Sequence, residues 1–266
     1  MKKLFIPLLL SLLLLLAIAA QAEDTAVLVD NDDLFIRLRG YEMDDQRGFT
    51  VKLYVENRSD RTIRLQIRDM VADGYLLDGP IHNETLAAGS RLNMKFNHLY
   101  GLPGTPVKFD FRLYAFDNST WDDVLDEHVT VFPQGEVSFV PSPREPLPSD
   151  ALLMDNGNVT LAVIGTSRNA NGLTATLYLH NKTDGPVLFY LTDSVINGFS
   201  ANAHKDVTVP AGVYCITDVQ WYSSWFEDND VGEVTDVRLC FVAYDASVSA
   251  RVVLGEGSGT VYPPNP

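Results

Sequence analysis

Apolar and polar residues alternate with a period of two along most of this chain. Leu34, Ile36 and Leu38 alternate with Phe35, Arg37 and Arg39, and Val51, Leu53 and Val55 with Lys52, Tyr54 and Glu56. Ile63, Leu65 and Ile67 alternate with Arg64, Gln66 and Arg68, and Phe109, Phe111, Leu113 and Ala115 with Asp110, Arg112 and Tyr114. Successive side chains of a strand point to opposite faces, so each segment predicts a strand with one face on a core and one in water. Turn-forming residues punctuate the pattern at Asp30 to Asp33, Asp44 to Gly48, Asn57 to Asp60, Asp78 to Pro80, Ala88-Gly89 and Pro103-Gly104. No stretch of helical period exceeds a turn or two. Short strands at this spacing predict an all-β sandwich or barrel of antiparallel strands.

The pattern occurs twice. Val27 to Asn31 returns as Leu152 to Asn156, Gly48 to Asn57 as Gly172 to Asn181, and Asn57 to Asp60 as Asn181 to Asp184. Asp73-Gly74-Tyr75 returns as Asn197-Gly198-Phe199, Ala115-Phe116-Asp117 as Ala243-Tyr244-Asp245, and Thr130 to Pro133 as Thr260 to Pro263. With Ala88-Gly89, which returns as Ala211-Gly212, these seven ordered matches predict two like domains, at residues 23–133 and 150–263. Between them, residues 134–149 crowd Pro141, Pro143, Pro146 and Pro148, which favours an extended, semi-rigid linker.

An opening strand, an Asp-Asn turn, a second strand, a glycine, and a strand ending in Asn-x-(Ser/Thr)-Asp resemble the Ig-like β-sandwich modules of secreted and surface proteins of Gram-positive bacteria. The resemblance covers both repeats. It implies two tandem antiparallel Ig-like β-sandwich domains, and modules of this kind mostly have no assigned activity. The chain departs from the lipoprotein members in having no cysteine after its apolar leader.

That leader, residues 1–22, has a basic start at Lys2-Lys3, an apolar run from Leu4 to Ala20, and a small-x-small exit at Ala20-Gln21-Ala22. This is the pattern of a signal peptide, and the exit favours cleavage over retention as an anchor. The mature chain is then expected outside the cytoplasm, secreted or in the cell envelope, with no stable membrane span. The formal net charge is -15. A phosphate backbone is neutralised by cations, so nucleic acid is excluded as the expected partner. Cys215 and Cys240 are compatible with one bridge in an exported compartment or with two free thiols. Pleat parity weakens the bridge, because Cys215 aligns with inward Leu92 and Cys240 with outward Arg112.

Signals for chemistry are sparse. No Gly-x-Ser-x-Gly elbow occurs, and His82, His98, His128, His180 and His204 form no ligand-spaced pair. No catalytic residue is expected. A carboxylate pair for glycoside hydrolysis is the one enzymatic arrangement left open. Acidic clusters at Asp30 to Asp33, Asp117 to Asp123 and Glu227 to Asp230 lack EF-hand spacing and allow at most weak calcium binding, with no other cofactor. Sequons at Asn57, Asn83, Asn118, Asn158 and Asn181 read as strand-end turns.

The outward positions differ between repeats. Arg37, Arg39, Lys52, Arg64 and Arg68 correspond to Ala162, Ile164, Thr176, Leu188 and Thr192. The first repeat thus presents arginines. The second is neutral and partly aromatic, and Tyr178, Leu188 and Tyr190 would form an exposed patch if their strands pair. That patch suits either a partner or a contact between the two domains. A second group, Trp221 to Phe226 leading into Glu227 and Asp228, combines aromatic rings with carboxylates as sugar recognition requires. The expected function is therefore a non-enzymatic binding or interaction protein of the cell envelope or extracellular space, with a protein or glycan at the cell surface as partner. The alternative is a carbohydrate-binding module built on Trp221, Trp225, Glu227 and Asp228.

Overall fold

The computed structural model describes residues 26–44, 48–79, 81–97, 104–136 and 138–263. The predicted leader lies outside them. The described chain is nearly all β, in several antiparallel sheets. It divides into two compact units. The first comprises the described parts of Met1–Gln66, His82–Thr105 and Tyr114–Asp126, and the second those of Ile67–Ile81, Pro106–Leu113 and Glu127–Pro266.

In the first unit, β1 (Val27–Asp30), β2 (Leu34–Asp44), β3 (Gly48–Asn57) and β7 (Arg91–Asn97) form one sheet in the order β1-β2-β3-β7. Alternation does what the sequence pattern demands. Leu34, Ile36, Leu38, Val51, Leu53 and Val55 are all buried, and their neighbours point the other way. The remaining strands of the first repeat are β4 (Ile63–Ala72), β5 (Tyr75–Leu76), β6 (His82–Leu86), β8 (Phe109–Asp117) and β9 (Asp123–Val131). The division between the units runs through β4, β8 and β9.

The second unit holds β10 (Ala151–Asp155), β11 (Val159–Asn169), β12 (Gly172–Asn181) and β16 (Tyr214–Tyr222) in that order, with β5 pairing in parallel alongside Tyr214 and Cys215. Its other sheet has the order β14-β13-β17-β18, with β15 also on β13. These strands are β13 (Val187–Ile196), β14 (Phe199–Ser200), β15 (Asp206–Val209), β17 (Val237–Asp245) and β18 (Val252–Val261). The two sheets close on one apolar core that draws Leu161, Leu177 and Leu179 from one side and Phe189, Leu239 and Phe241 from the other. The arrangement is sandwich-like.

Local geometry recurs between the two sequence repeats. Asn31 Oδ1 accepts the Asp33 and Leu34 amides, and Asn156 Oδ1 accepts those of Asn158 and Val159. Asp73-Gly74 and Asn197-Gly198 both adopt positive φ, at 49° and 83° and at 49° and 84°. Two successive positive-φ residues, the second a glycine, make the tight hairpin turn whose twist matches antiparallel strands. Asn57 and Asn181 are both fully buried. Asn57 Nδ2 donates to the carbonyls of Arg61, Leu86 and Ala87. Asn181 Nδ2 donates to those of Gly185, Val209 and Pro210. Each Oδ1 accepts the amide and hydroxyl two residues on. Both side chains sit in sequons yet are enclosed and fully engaged.

Glycine permits the closest approach in the second unit. On β18, a Cβ at Gly257 would lie 2.2 Å from the Leu153 carbonyl oxygen, and one at Gly259 2.4 Å from Leu153 Cδ2. The alternate glycines of this strand let β10 lie against it. In the proline-rich stretch, Arg144 Nη1 and Nη2 grip Asp150 at 2.5 and 2.9 Å, the Leu147 amide also donates to Asp150, and Tyr75 Oη donates to the Ser142 carbonyl. The only described helix, α1 (Ser223–Asp228), carries Trp225, Glu227 and Asp228 of the aromatic and acidic group. Strand β16 ends at Tyr222, and the chain coils so that Phe226 is buried.

Candidate functional site

The outward face of β2, β3 and β7 gathers charge from three strands. Register places Phe35, Glu56 and Arg91 in one row, Arg37, Tyr54 and Asn93 in the next, and Lys52 beside Lys95 in a third. Rows of neighbouring strands are about 4.8 Å apart, and same-face residues along a strand about 7 Å. Arg37 and Lys52 are half-buried, while Arg39, Arg91 and Lys95 are exposed.

These groups are held in place. The Arg37 guanidinium lies over the Tyr54 ring at 5.6 Å, and Tyr54 meets Phe35 edge-on at 6.2 Å. Arg39 Nη1 donates to Asn93 Oδ1 at 2.8 Å. Glu42 sits between two lysines, with Lys52 Nζ at 2.9 Å and Lys95 Nζ at 3.0 Å. Hydrogen bonds from Lys52 and then Lys95 bring the Glu42 pKa down to about 2. Arg91 reaches Glu56 at 3.3 Å. Among the described side chains of this face, Arg37, Arg39, Lys52, Arg91 and Lys95 stand against Glu42 and Glu56, leaving three positive charges in excess. The arginines Arg37 and Arg39 were visible in the sequence. Arg91 and Lys95 were not singled out, because nothing local says that β7 pairs with β3. Arg64 and Arg68 lie on β4, outside this sheet.

The residues singled out in the second repeat are distributed differently. β12 pairs with β11 and β16, whereas β13 pairs with β14, β15 and β17. Tyr178 therefore lies in one sheet and Leu188 and Tyr190 in the other, and the three do not form one patch. Tyr178 is 8% exposed and stacks on Tyr214 at 6.1 Å, and burial raises its phenol pKa. Leu188 and Tyr190 are half-buried on β13, with Tyr190 edge-on to His204 at 6.1 Å.

Trp221 is a core residue. It is 3% exposed, and its Nε1 donates to Ser194 Oγ and the Ala201 carbonyl at 3.3 and 3.4 Å. Its ring has no free face for a ligand. Trp225 is half-buried against Phe226, with ring centroids 5.0 Å apart. Glu227 and Asp228 are exposed. Glu227 lines a hollow of about 270 Å³ together with Arg168, Ser223, Phe226 and Asp230. Arg168 lies over the Phe226 ring at 4.7 Å. The structure thus keeps Trp225, Glu227 and Asp228 near one another on α1 and sends Trp221 inward.

Both cysteines are free. Cys215 is fully buried, and burial pushes its thiol up to about 12. Cys240 faces outward on β17 and is half-buried. Among the described residues, no group of three or more His, Cys, Asp or Glu side chains is placed to hold a metal ion. Two of the acidic clusters have other engagements: Asp30 pairs with Arg58 at 2.7 Å, Asp33 with Arg61 at 2.8 Å, and Asp117 accepts the Ser119 and Thr120 amides. No described helix is long and apolar enough to cross a membrane.

No protein-family model matches the chain, and no curated protein matches it in sequence. Among solved structures, it is similar to the YadV chaperone, at 14% identity over 86% of this chain and 100% of that one, with a TM-score of 0.26. It is also similar to the Amycolatopsis orientalis exo-chitosanase CsxA, at 13% identity over 85% of this chain and 26% of that one, with a TM-score of 0.24. A third is a protein of unknown function from Porphyromonas gingivalis W83, at 12% identity over 86% and 99% of the two chains, with a TM-score of 0.23. Likeness at this level carries no argument about function.

Proposed function

We propose that this chain is an exported, non-enzymatic binding protein of the cell envelope, built from two tandem Ig-like β-sandwich modules, and that it acts by surface contact. The observation that carries this reading is the outward face of β2, β3 and β7. It concentrates five cations in a chain of net charge -15 and fixes their positions by stacking and hydrogen bonds. Exposed long cations ordinarily cost entropy when they bind, and prior fixing reduces that cost. Export follows from the leader pattern in residues 1–22, and N-terminal sequencing of secreted material should begin at Glu23. Retention of the fluorescently labelled mature chain on envelope preparations of a Gram-positive bacterium tests the binding face. Arg39→Glu should reduce retention severalfold, and equal retention of wild type and variant would remove this face from the function.

A second reading places a glycan at the second unit. The hollow lined by Phe226, with Glu227, Asp230 and Ser223 offering hydrogen bonds, favours it; Trp225 does not line it but packs edge-on against Phe226. Tryptophan fluorescence against a glycan panel tests it. A shift lost in Trp225→Ala supports a sugar there, and no shift across the panel removes it.

A further inference from the structure

We propose that the ligand of the first unit's cationic face is an anionic envelope polymer, one whose carboxylate or phosphate groups repeat along a chain. The proposal rests on the binding reading above and names its ligand chemistry. Three features of the face point to a polymer rather than a compact anion.

The first is extent. Arg91, Arg37, Arg39, Lys52 and Lys95 are spread over three strands and successive rows, so no single small anion reaches them together. Their spacings of about 5 Å across strands and about 7 Å along them suit charges repeated on successive units of a chain. The second is a carboxylate already seated there. Glu42 occupies the place between Lys52 and Lys95 with two contacts near 3 Å, as an external carboxylate would. The two ammonium groups hold its carboxyl well below the usual carboxylate range, the direction expected where an anion is favoured. The third is the state of the arginines. Arg37 is stacked on Tyr54 and Arg39 is bonded to Asn93, so two planar guanidiniums are set in advance for the paired hydrogen bonds that carboxylates and phosphates accept.

The chain's overall negative charge does not forbid this contact. Screening limits an exposed charge to a range of about 8 Å at physiological ionic strength. A polymer lying on this face meets its local excess of positive charge before it meets distant carboxylates.

Binding of the full mature chain to immobilised polygalacturonate and polyphosphate, at 50 and 200 mM NaCl, tests the proposal. Dextran serves as the uncharged control and duplex DNA as the competing class. Binding to at least one of the two anionic polymers is expected, weakening by about tenfold or more across that salt range if about three counterions are released. Preference between them tells carboxylate from phosphate. Arg39→Glu should weaken binding at least fivefold, while Arg251→Glu, at an exposed cation of the second unit, should leave it unchanged. Matching thermal unfolding of both variants shows that the fold is intact, and Arg39→Lys should retain part of the affinity. The proposal is overturned if neither polymer binds, if binding ignores salt, if the two glutamate variants behave alike, or if DNA binds more tightly than both polymers. Should Arg39→Glu abolish retention on envelopes while both polymers fail to bind, the face remains a binding site and only its ligand class is wrong.

Discussion

Asn181 offers the sharpest test of how this fold is held together. Its side chain is fully buried, and its Nδ2 serves three carbonyls, at 2.7 Å to Gly185, 2.9 Å to Val209 and 2.9 Å to Pro210. Its Oδ1 accepts the Thr183 amide at 2.9 Å and the Thr183 hydroxyl at 2.8 Å. Asn181→Ala removes both amide protons. A buried polar group left without a partner costs about 1–3 kcal/mol, so losing two protons should cost about 2–6 kcal/mol. Against a typical domain stability of about 5–15 kcal/mol, that is a large fraction. Asn181→Asp preserves size and the acceptor but turns an oxygen toward the three carbonyls. The aspartate is easier to bury neutral, so its folded pKa is raised above its unfolded value. The part of its penalty that comes from burying the charge is therefore full above the folded pKa and is lost as the pH falls toward the unfolded value, about 3.9. Urea unfolding followed by far-UV circular dichroism at pH 7 and pH 4 measures both effects, each relative to wild type at the same pH. The Asp deficit should shrink at pH 4 and the Ala deficit should not. A loss below about 1 kcal/mol for Asn181→Ala, or an Asp deficit that ignores pH, would refute the account of the buried amide.

Three further outcomes are expected. Gly257→Val should lower the melting temperature by several degrees, because its Cβ would lie 2.2 Å from the Leu153 carbonyl; Gly232→Val, where a Cβ meets nothing within 4 Å, should do much less. Glu42→Gln should blunt acid destabilisation. The Glu42 pKa is held at about 2 against an ordinary 4.5, so its contribution is complete above the ordinary value and lost as the pH falls toward 2; superimposable acid titrations of wild type and variant would count against this. In the native protein a maleimide should label Cys240 and spare Cys215 until denaturant is added, as mass spectrometry of the modified peptides can read; early labelling of Cys215 would contradict its burial.

Much of the fold was legible locally. Pleat parity in β2 and β3 told inward from outward at Leu34 to Leu38 and Val51 to Val55, because a strand's side chains alternate whatever surrounds it. The paired turns at Asp73-Gly74 and Asn197-Gly198 were marked by residues that tolerate positive φ. The repeat announced that two stretches would share local geometry, and the Asn31 and Asn156 turns match bond for bond.

What the chain could not announce was adjacency. Alternation says which way a side chain points but not which strand lies beside it. Tyr178 and Tyr190 therefore looked like neighbours on the strength of pairing that β12 and β13 do not make. The same gap hid Arg91 and Lys95, which join Arg37 and Lys52 only because β7 runs beside β3. Trp221 and Trp225 stand four residues apart in one aromatic segment, and composition treats them alike. The end of β16 at Tyr222 and the single turn and a half of α1 send the first ring into the core and leave the second half in solvent. Asn57 and Asn181 read as turn residues; their burial depends on carbonyls about thirty positions away, at Leu86 and Ala87 and at Val209 and Pro210. The sequence by itself thus determined the all-β class, the matching turns at Asn31 and Asn156 and the facing of strands such as β2 and β3, all set by interactions within a few residues. Only the tertiary structure decided the composition of each surface, because a sheet face is assembled from strands whose order is a long-range property.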